Sequence, residues 1–272
     1  MKAGTGACLH LVPVPIGMPS QEASRPAWTA AEVERVLCPG TLAQLRRTRY
    51  FLVESARSAR ALLKAAGHPE PLSSLQIVEI GHAPRAELLD AWLDPVQGRG
   101  GSDPIDAAVL SEAGAPGIAD PGSSLVARAH ERGIRVVPWV GPSSIALALM
   151  GSGMNGQQFR FLGYLPQERE ELRRRIAAVQ ADARQGETQI FIETPYRNER
   201  LFEALLQQCD PSLRLCLAID LTGPAEALQT RTIAQWRALA APQRPALARR
   251  PAVFLLQGSA DPGGGRAHKS RG

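Results

Sequence analysis

Aromatic side chains make up only 5% of the 272 residues, so bulky rings cannot dominate the interior. With hydrophobic residues at 44%, the core has to be built from Leu, Val, Ile and Ala, a composition suited to α/β layers. Long apolar runs are missing as well. The longest, such as Leu11 to Gly17 and Ile145 to Met150, fall far below the roughly 20 residues of a membrane span, so no membrane association is expected. The N-terminus has Lys2 and small residues but lacks the apolar segment and cleavage site of a secretory signal, which leads us to expect a cytoplasmic protein.

Cysteine is scarce. Cys8, Cys38, Cys209 and Cys216 show neither CxxC spacing nor paired histidines nearby, so buried thiols are expected rather than a disulfide framework or a metal centre. His10, His68, His82, His130 and His268 form no cluster in sequence and receive no role. Also absent are GxxxxGK[ST] and a GxGxxG after a strand, which excludes the two standard phosphate-cradling nucleotide sites. The net charge of +5 falls to +3 when Arg266, Lys269 and Arg271 are set against Asp261 in the last residues. A positive balance this small permits an anionic substrate without demanding one.

What is present is alternation. Short apolar runs rich in β-branched residues alternate with segments of helical period, the pattern of βαβ units and a largely parallel sheet. Strands are predicted at Leu9 to Val14, Tyr50 to Glu54, Gln76 to Ile80, Ala107 to Ser111 and Arg135 to Trp139. Helices are predicted at Ala30 to Leu37, Ala56 to Ala66, Arg85 to Leu93, Ser124 to Arg132 and Ser143 to Gly151. The turn formers of Gly151 to Gly156 mark a boundary, giving a first α/β domain over 1–152 and a second over 153–258. In the second, strands are predicted at Phe159 to Tyr164, Thr188 to Glu193, Leu213 to Ile219 and Val253 to Gln257. Helices are predicted there at Glu168 to Ala183, Asn198 to Gln208 and Ile233 to Ala240. The glycine-rich segment 259–272 reads as a disordered tail. The arginines of the Glu168 helix are matched by Glu170 and Glu171 at i, i+4 spacing, the mark of a solvated, self-paired face.

Three Gly- and Pro-rich segments each follow a strand of the first domain: Pro13 to Pro19 (PVPIGMP), Glu112 to Ser124 (EAGAPGIADPGSS) and Val140 to Ser144 (VGPSS). In a parallel sheet such loops share the carboxyl edge, where ligands bind. Gly114, Gly117 and Gly122 allow close backbone approach, Asp120 is placed to cap a helix opening at Pro121, and Pro142 fits the first position of the next helix. Lacking a phosphate signature, the site should lean on apolar walls and backbone groups, as an adenosine and methionine moiety would require.

LHLVPVPIG, SEAGAPGIADPGSSLV, GIRVVPWVGPSSIALALMGSG and IFIETPYRNERLFEALL occur in this order, and over residues 9 to 240 the chain resembles the tetrapyrrole methylase superfamily. Within it, the pattern is most similar to the ribosomal RNA small subunit methyltransferase I branch. The resemblance implies two α/β domains with S-adenosylmethionine in a cleft between them, methyltransferase activity and a homodimer. It places Pro15, Ile16 and Gly17 under the cofactor. Ala113, Gly114, Ala115 and Ile118 would sit against its methionine and ribose, Ser143 and Ser144 would form a third contact, and Glu193 and Leu221 would lie at the adenine.

Several positions depart from that branch: Met18 stands for its Asn, Glu54 to Arg57 for its DTR element, Leu221 to Gly223 for LTK, and Ala115 for Thr. The resemblance therefore carries methyl transfer further than it carries the acceptor, which is RNA or a small molecule. A ribose hydroxyl would need a base, and the candidates for base or clamp are Glu193, Arg197 and Glu54. A non-catalytic module that binds the cofactor without turnover is the alternative reading, and a chance match by an unrelated small-molecule α/β enzyme is a third.

Overall fold

The computed structural model describes residues 6–17, 28–101, 103–119 and 122–258. Met18, Asp120, Pro121 and the segment 259–272 lie outside the described residues. The chain divides into two compact units, one comprising Met1–Ser144 with Thr222–Pro224, the other Ile145–Leu221 with Ala225–Gly272.

In the first unit, β1 (Cys8–Leu11), β2 (Tyr50–Val53), β3 (Gln76–Glu79), β4 (Ala107–Leu110) and β5 (Arg135–Pro138) form one sheet in the order β3-β2-β4-β1-β5. Every pairing is parallel. Alternation along the central strands feeds two cores, as a period of two requires. Phe51 and Val53 of β2, with Ala108 and Leu110 of β4, meet α1 (Ala30–Val36), α2 (Pro39–Arg47) and α3 (Ala56–Ala65) through Val33, Leu42, Leu45, Leu62 and Leu63. Tyr50, Leu52, Ala107 and Val109 face the other way, onto α4 (Leu89–Leu93) and α5 (Ser123–Glu131).

The helix α2 has no counterpart among the predicted elements. Pro39 opens it at the first turn, where a missing N–H costs nothing. Two smaller expectations are corrected. Among the described residues α5 begins at Ser123 with Gly122 as its cap. The next helix, α6 (Ser144–Ser152), begins after Pro142, so that proline shapes the loop and not the first helical position.

The second unit holds β6 (Phe159–Tyr164), β7 (Thr188–Glu193), β8 (Arg214–Ile219), β9 (Ala227–Thr232) and β10 (Ala252–Gln257), ordered β6-β7-β10-β8-β9. Only β6 and β7 run parallel; β7 with β10, β10 with β8 and β8 with β9 are antiparallel. The expectation of a largely parallel sheet therefore fails here. The link from β8 to β9 is too short for the crossover that a parallel pair needs. Helices α7 (Arg169–Arg184), α8 (Asn198–Gln208) and α9 (Ile233–Ala238) cover one face, where Ile176, Leu205 and Trp236 meet Phe191, Leu217 and Phe254. Phe191 and Phe254 stack with centroids 5.8 Å apart. The opposite face takes α6 through Ala148, Ile145 and Leu149, packed with Ile190, Ala218 and Leu255.

Candidate functional site

The three loops predicted to share an edge converge in the first unit. After β1 the chain makes an antiparallel bridge to the loop after β4: Val14 donates its N–H to the Gly114 carbonyl at 2.8 Å, and Gly114 returns the bond at 3.2 Å. The third loop closes on the first, since a Cβ built on Gly141 would lie 2.5 Å from the Pro13 Cβ. It also touches the second, with the Pro142 carbonyl 3.9 Å from where a Gly114 Cβ would stand. Gly114 itself sits at φ +75, a conformation that side chains disfavour.

The predicted residues divide by exposure. Pro15, Gly17 and Gly114 are buried backbone of the floor, Ile16, Ala115, Ser143 and Ser144 are half-buried, and Ala113 and Ile118 are exposed. Ile118 at 50% and Val140 at 73% are large apolar side chains left exposed on these loops. No Lys or Arg occurs in 13–17, 112–118 or 140–144. The loops themselves carry no counter-charge for a triphosphate, whereas their apolar and amide-like surfaces suit an adenosine and methionine moiety. The residues present thus fit the expected cofactor.

Glu54 ends just past β2, 6% exposed. Its Oε2 accepts the Glu112 N–H at 2.7 Å, tying the strand end to the start of the glycine loop, and its Oε1 pairs closely with Nδ1 of the exposed His82. Ser58 donates to Glu112 at 2.8 Å. His82 was not singled out by the sequence, because a lone histidine 28 residues from Glu54 carries no spacing signal.

A second cluster joins Cys8, His10 and Asp106. Trp139 donates its indole N–H to His10 Nδ1 at 3.0 Å, and an indole nitrogen can only donate. The neutral ring therefore carries its proton on Nε2, which points to Asp106 Oδ2 at 3.4 Å and is turned into a donor, not a metal ligand.

In the second unit Glu193 and Leu221 come to one end of the sheet, since Glu193 and Ile219 flank Ala252 in register. Glu193 accepts the Thr194 N–H at 2.6 Å and pairs with the Arg197 guanidinium, whose Nε also donates to Thr194 Oγ1 at 3.2 Å. Leu221 is 6% exposed. Arg197 is thus held within its own turn, and Tyr196 beside it is 83% exposed.

Residues 9–236 match the family of tetrapyrrole (corrin/porphyrin) methylases. The chain is 32% identical over 202 residues to the ribosomal RNA small subunit methyltransferase I of Pseudomonas aeruginosa, covering 73% of this chain and 66% of that one. To the protein of the same name from Mesorhizobium japonicum it is 31% identical over 232 residues, covering 85% and 68%. Against the Neisseria meningitidis serogroup B protein of that name the match spans only 62% of the relative's length. Among solved structures, the methyltransferase CobJ is similar at TM-score 0.54 and 17% identity, over 84% of this chain and 90% of that one. The uroporphyrin III C-methyltransferase of Thermus thermophilus is similar at TM-score 0.50 and 17% identity, over 92% and 97%. Matched along most of its length and built on the same mixed α/β fold, the chain belongs to the tetrapyrrole (corrin/porphyrin) methylases.

Proposed function

We propose that this chain is an S-adenosylmethionine-dependent methyltransferase whose donor rests on the three converging loops of the first unit. The observation that carries this reading is the mutual contact of Val14 with Gly114 and of Pro13 with Gly141, which brings three separate strand ends to one partly apolar edge. Pro15, Ile16 and Gly17 form the floor. Ala113, Gly114, Ala115 and Ile118 take the methionine and ribose, and Ser143 and Ser144 offer hydroxyls; the assignment of Glu193 and Leu221 to the adenine rests on the family resemblance alone.

When bound, the donor supplies an electrophilic methyl group, so the protein has mainly to orient it and exclude water. The close-packed backbone of Gly114 and Gly141 fixes the floor, and Ile118 and Val140 supply apolar cover. An acceptor hydroxyl has to lose a proton, and Glu54 is the carboxylate at this edge that both holds the glycine loop and pairs with a histidine open to solvent. The finer reading of the acceptor is RNA, supported by the names of the curated relatives. It is also supported by the exposed Tyr196, whose turn lies beside Arg249 through an Arg249 N–H to Pro195 carbonyl bond of 3.1 Å. A homodimer rests on the family alone.

Calorimetric titration with S-adenosylmethionine and S-adenosylhomocysteine, repeated on Gly114→Trp, tests the reading. Binding by the wild type that a folded variant loses supports it. Absence of wild-type binding overturns it. Binding with no turnover on any cellular RNA or small-molecule fraction favours the non-catalytic module instead.

A further inference from the structure

We infer that Thr222 is a positioning residue for the first donor loop, a role that rests on the donor site proposed above. Its hydroxyl accepts the backbone N–H groups of both Ile16, at 3.3 Å, and Gly17, at 3.2 Å. Those two amides lie where the loop after β1 turns away from the sheet, and a buried N–H without an acceptor is costly. Ile16 is also the residue whose Cγ1 stands 3.9 Å from the Cβ position of Gly114, so fixing its amide fixes a side chain against the second loop.

The backbone around Thr222 is held in a conformation that its side chain resists. Thr222 adopts φ +66 and Asp220 φ +48, and a β-branched residue in the left-handed region is a steric outlier. Such a conformation persists where surrounding contacts over-determine it. Here the Thr222 carbonyl accepts a close hydrogen bond from the Arg35 guanidinium of α1. Asp220, 3% exposed, accepts the Ala225 N–H at 3.0 Å and donates its own N–H to Pro251 at 2.9 Å. Accordingly Thr222–Pro224 belongs to the first unit although the residues on either side belong to the second. A glycine would adopt this φ with less strain but would leave the two loop amides without the hydroxyl.

That contrast defines the experiment, made on the full chain with Thr222→Ser, which keeps the oxygen, and Thr222→Gly, which relieves the backbone and removes it. Amide exchange at Ile16 and Gly17 is followed by NMR, and S-adenosylhomocysteine binding by calorimetry. Thr222→Ser is expected to resemble wild type in both. Thr222→Gly is expected to keep its melting temperature without ligand, to exchange both amides about tenfold faster and to bind about tenfold more weakly, as losing the one hydroxyl that accepts both amides implies. If wild type binds and Thr222→Gly binds equally well, or its amides stay protected, the positioning role is overturned while the donor site stands. If wild type itself does not bind, the donor reading falls first and this inference with it.

Discussion

A Cβ at position 141 would lie 2.5 Å from the Cβ of Pro13 and 2.8 Å from its Cγ, so these two residues are in contact with no room for a methyl group between them. The neighbouring atoms belong to a proline ring, which cannot swing aside. Gly141→Ala is therefore expected to destabilise the first unit by about 1–3 kcal/mol, the range for an overpacked site. It should also weaken donor binding, because the first and third loops are forced apart. Urea unfolding and calorimetry on the same variant read the two effects.

Gly40→Ala provides the contrasting case. Gly40 is inside α2, and its nearest neighbour is the Trp139 ring at an ordinary 3.7 Å. With space available and a helical backbone, alanine should be neutral or stabilising by up to about 1 kcal/mol. A loss beyond about 1 kcal/mol in chemical denaturation would show that the Trp139 face of α2 tolerates less than this distance implies.

How far the sequence speaks for the fold depends on which physical signal marks each element. The helix at Asn198–Gln208 and the strands at Phe159–Tyr164 and Thr188–Glu193 form with the predicted boundaries, because apolar period and turn residues agree there. Strand β9 escapes the pattern, since ALQTRT is mostly polar on a half-exposed edge. Its pairing comes from β8 and not from its own hydrophobicity. The three glycine loops were legible as a group, because each follows a strand and a parallel sheet puts strand ends on one edge. Thr222 was not, because nothing local announces that a residue more than 200 positions from Ile16 hydrogen-bonds its amide.

Glu54→Gln separates scaffolding from chemistry. A glutamine keeps a carbonyl oxygen to accept the Glu112 N–H, so the loop should hold and stability should change by less than about 1 kcal/mol. It cannot take a proton. If Glu54 serves an acceptor hydroxyl, methyl transfer should fall by about 10²-fold or more with donor affinity unchanged. Equal turnover in the variant would assign Glu54 to the scaffold alone.

Removing Arg197 strips the partly buried Glu193 carboxylate of its guanidinium, leaving it the Thr194 N–H. Arg197→Met should cost about 1–3 kcal/mol, less than for a fully buried pair because the arginine side chain is 23% exposed. Adding Glu193→Gln should recover part of that loss, since the uncompensated charge is then gone. Urea unfolding of the two single variants and the double variant supplies the coupling directly, and a coupling of zero would mean that the pair stabilises nothing.

His10 gives the first unit a dependence on pH. Burial lowers its pKa below 6.5, opposed by Asp106 and reinforced by Arg47 and Arg135. Its Nδ1 accepts from Trp139 only while the ring is neutral, so protonation would set two donors against each other. Between the folded and unfolded pKa values the unfolded chain binds the extra proton, so stability rises with pH across that window. It is fully present above the unfolded value of about 6.5 and is lost as the pH falls from there toward the folded pKa. His10→Gln, with an amide that accepts from Trp139 at any pH, should flatten this part of the profile. Melting temperatures of wild type and variant measured between about pH 5 and 8 decide it, and parallel profiles would move the acid sensitivity elsewhere.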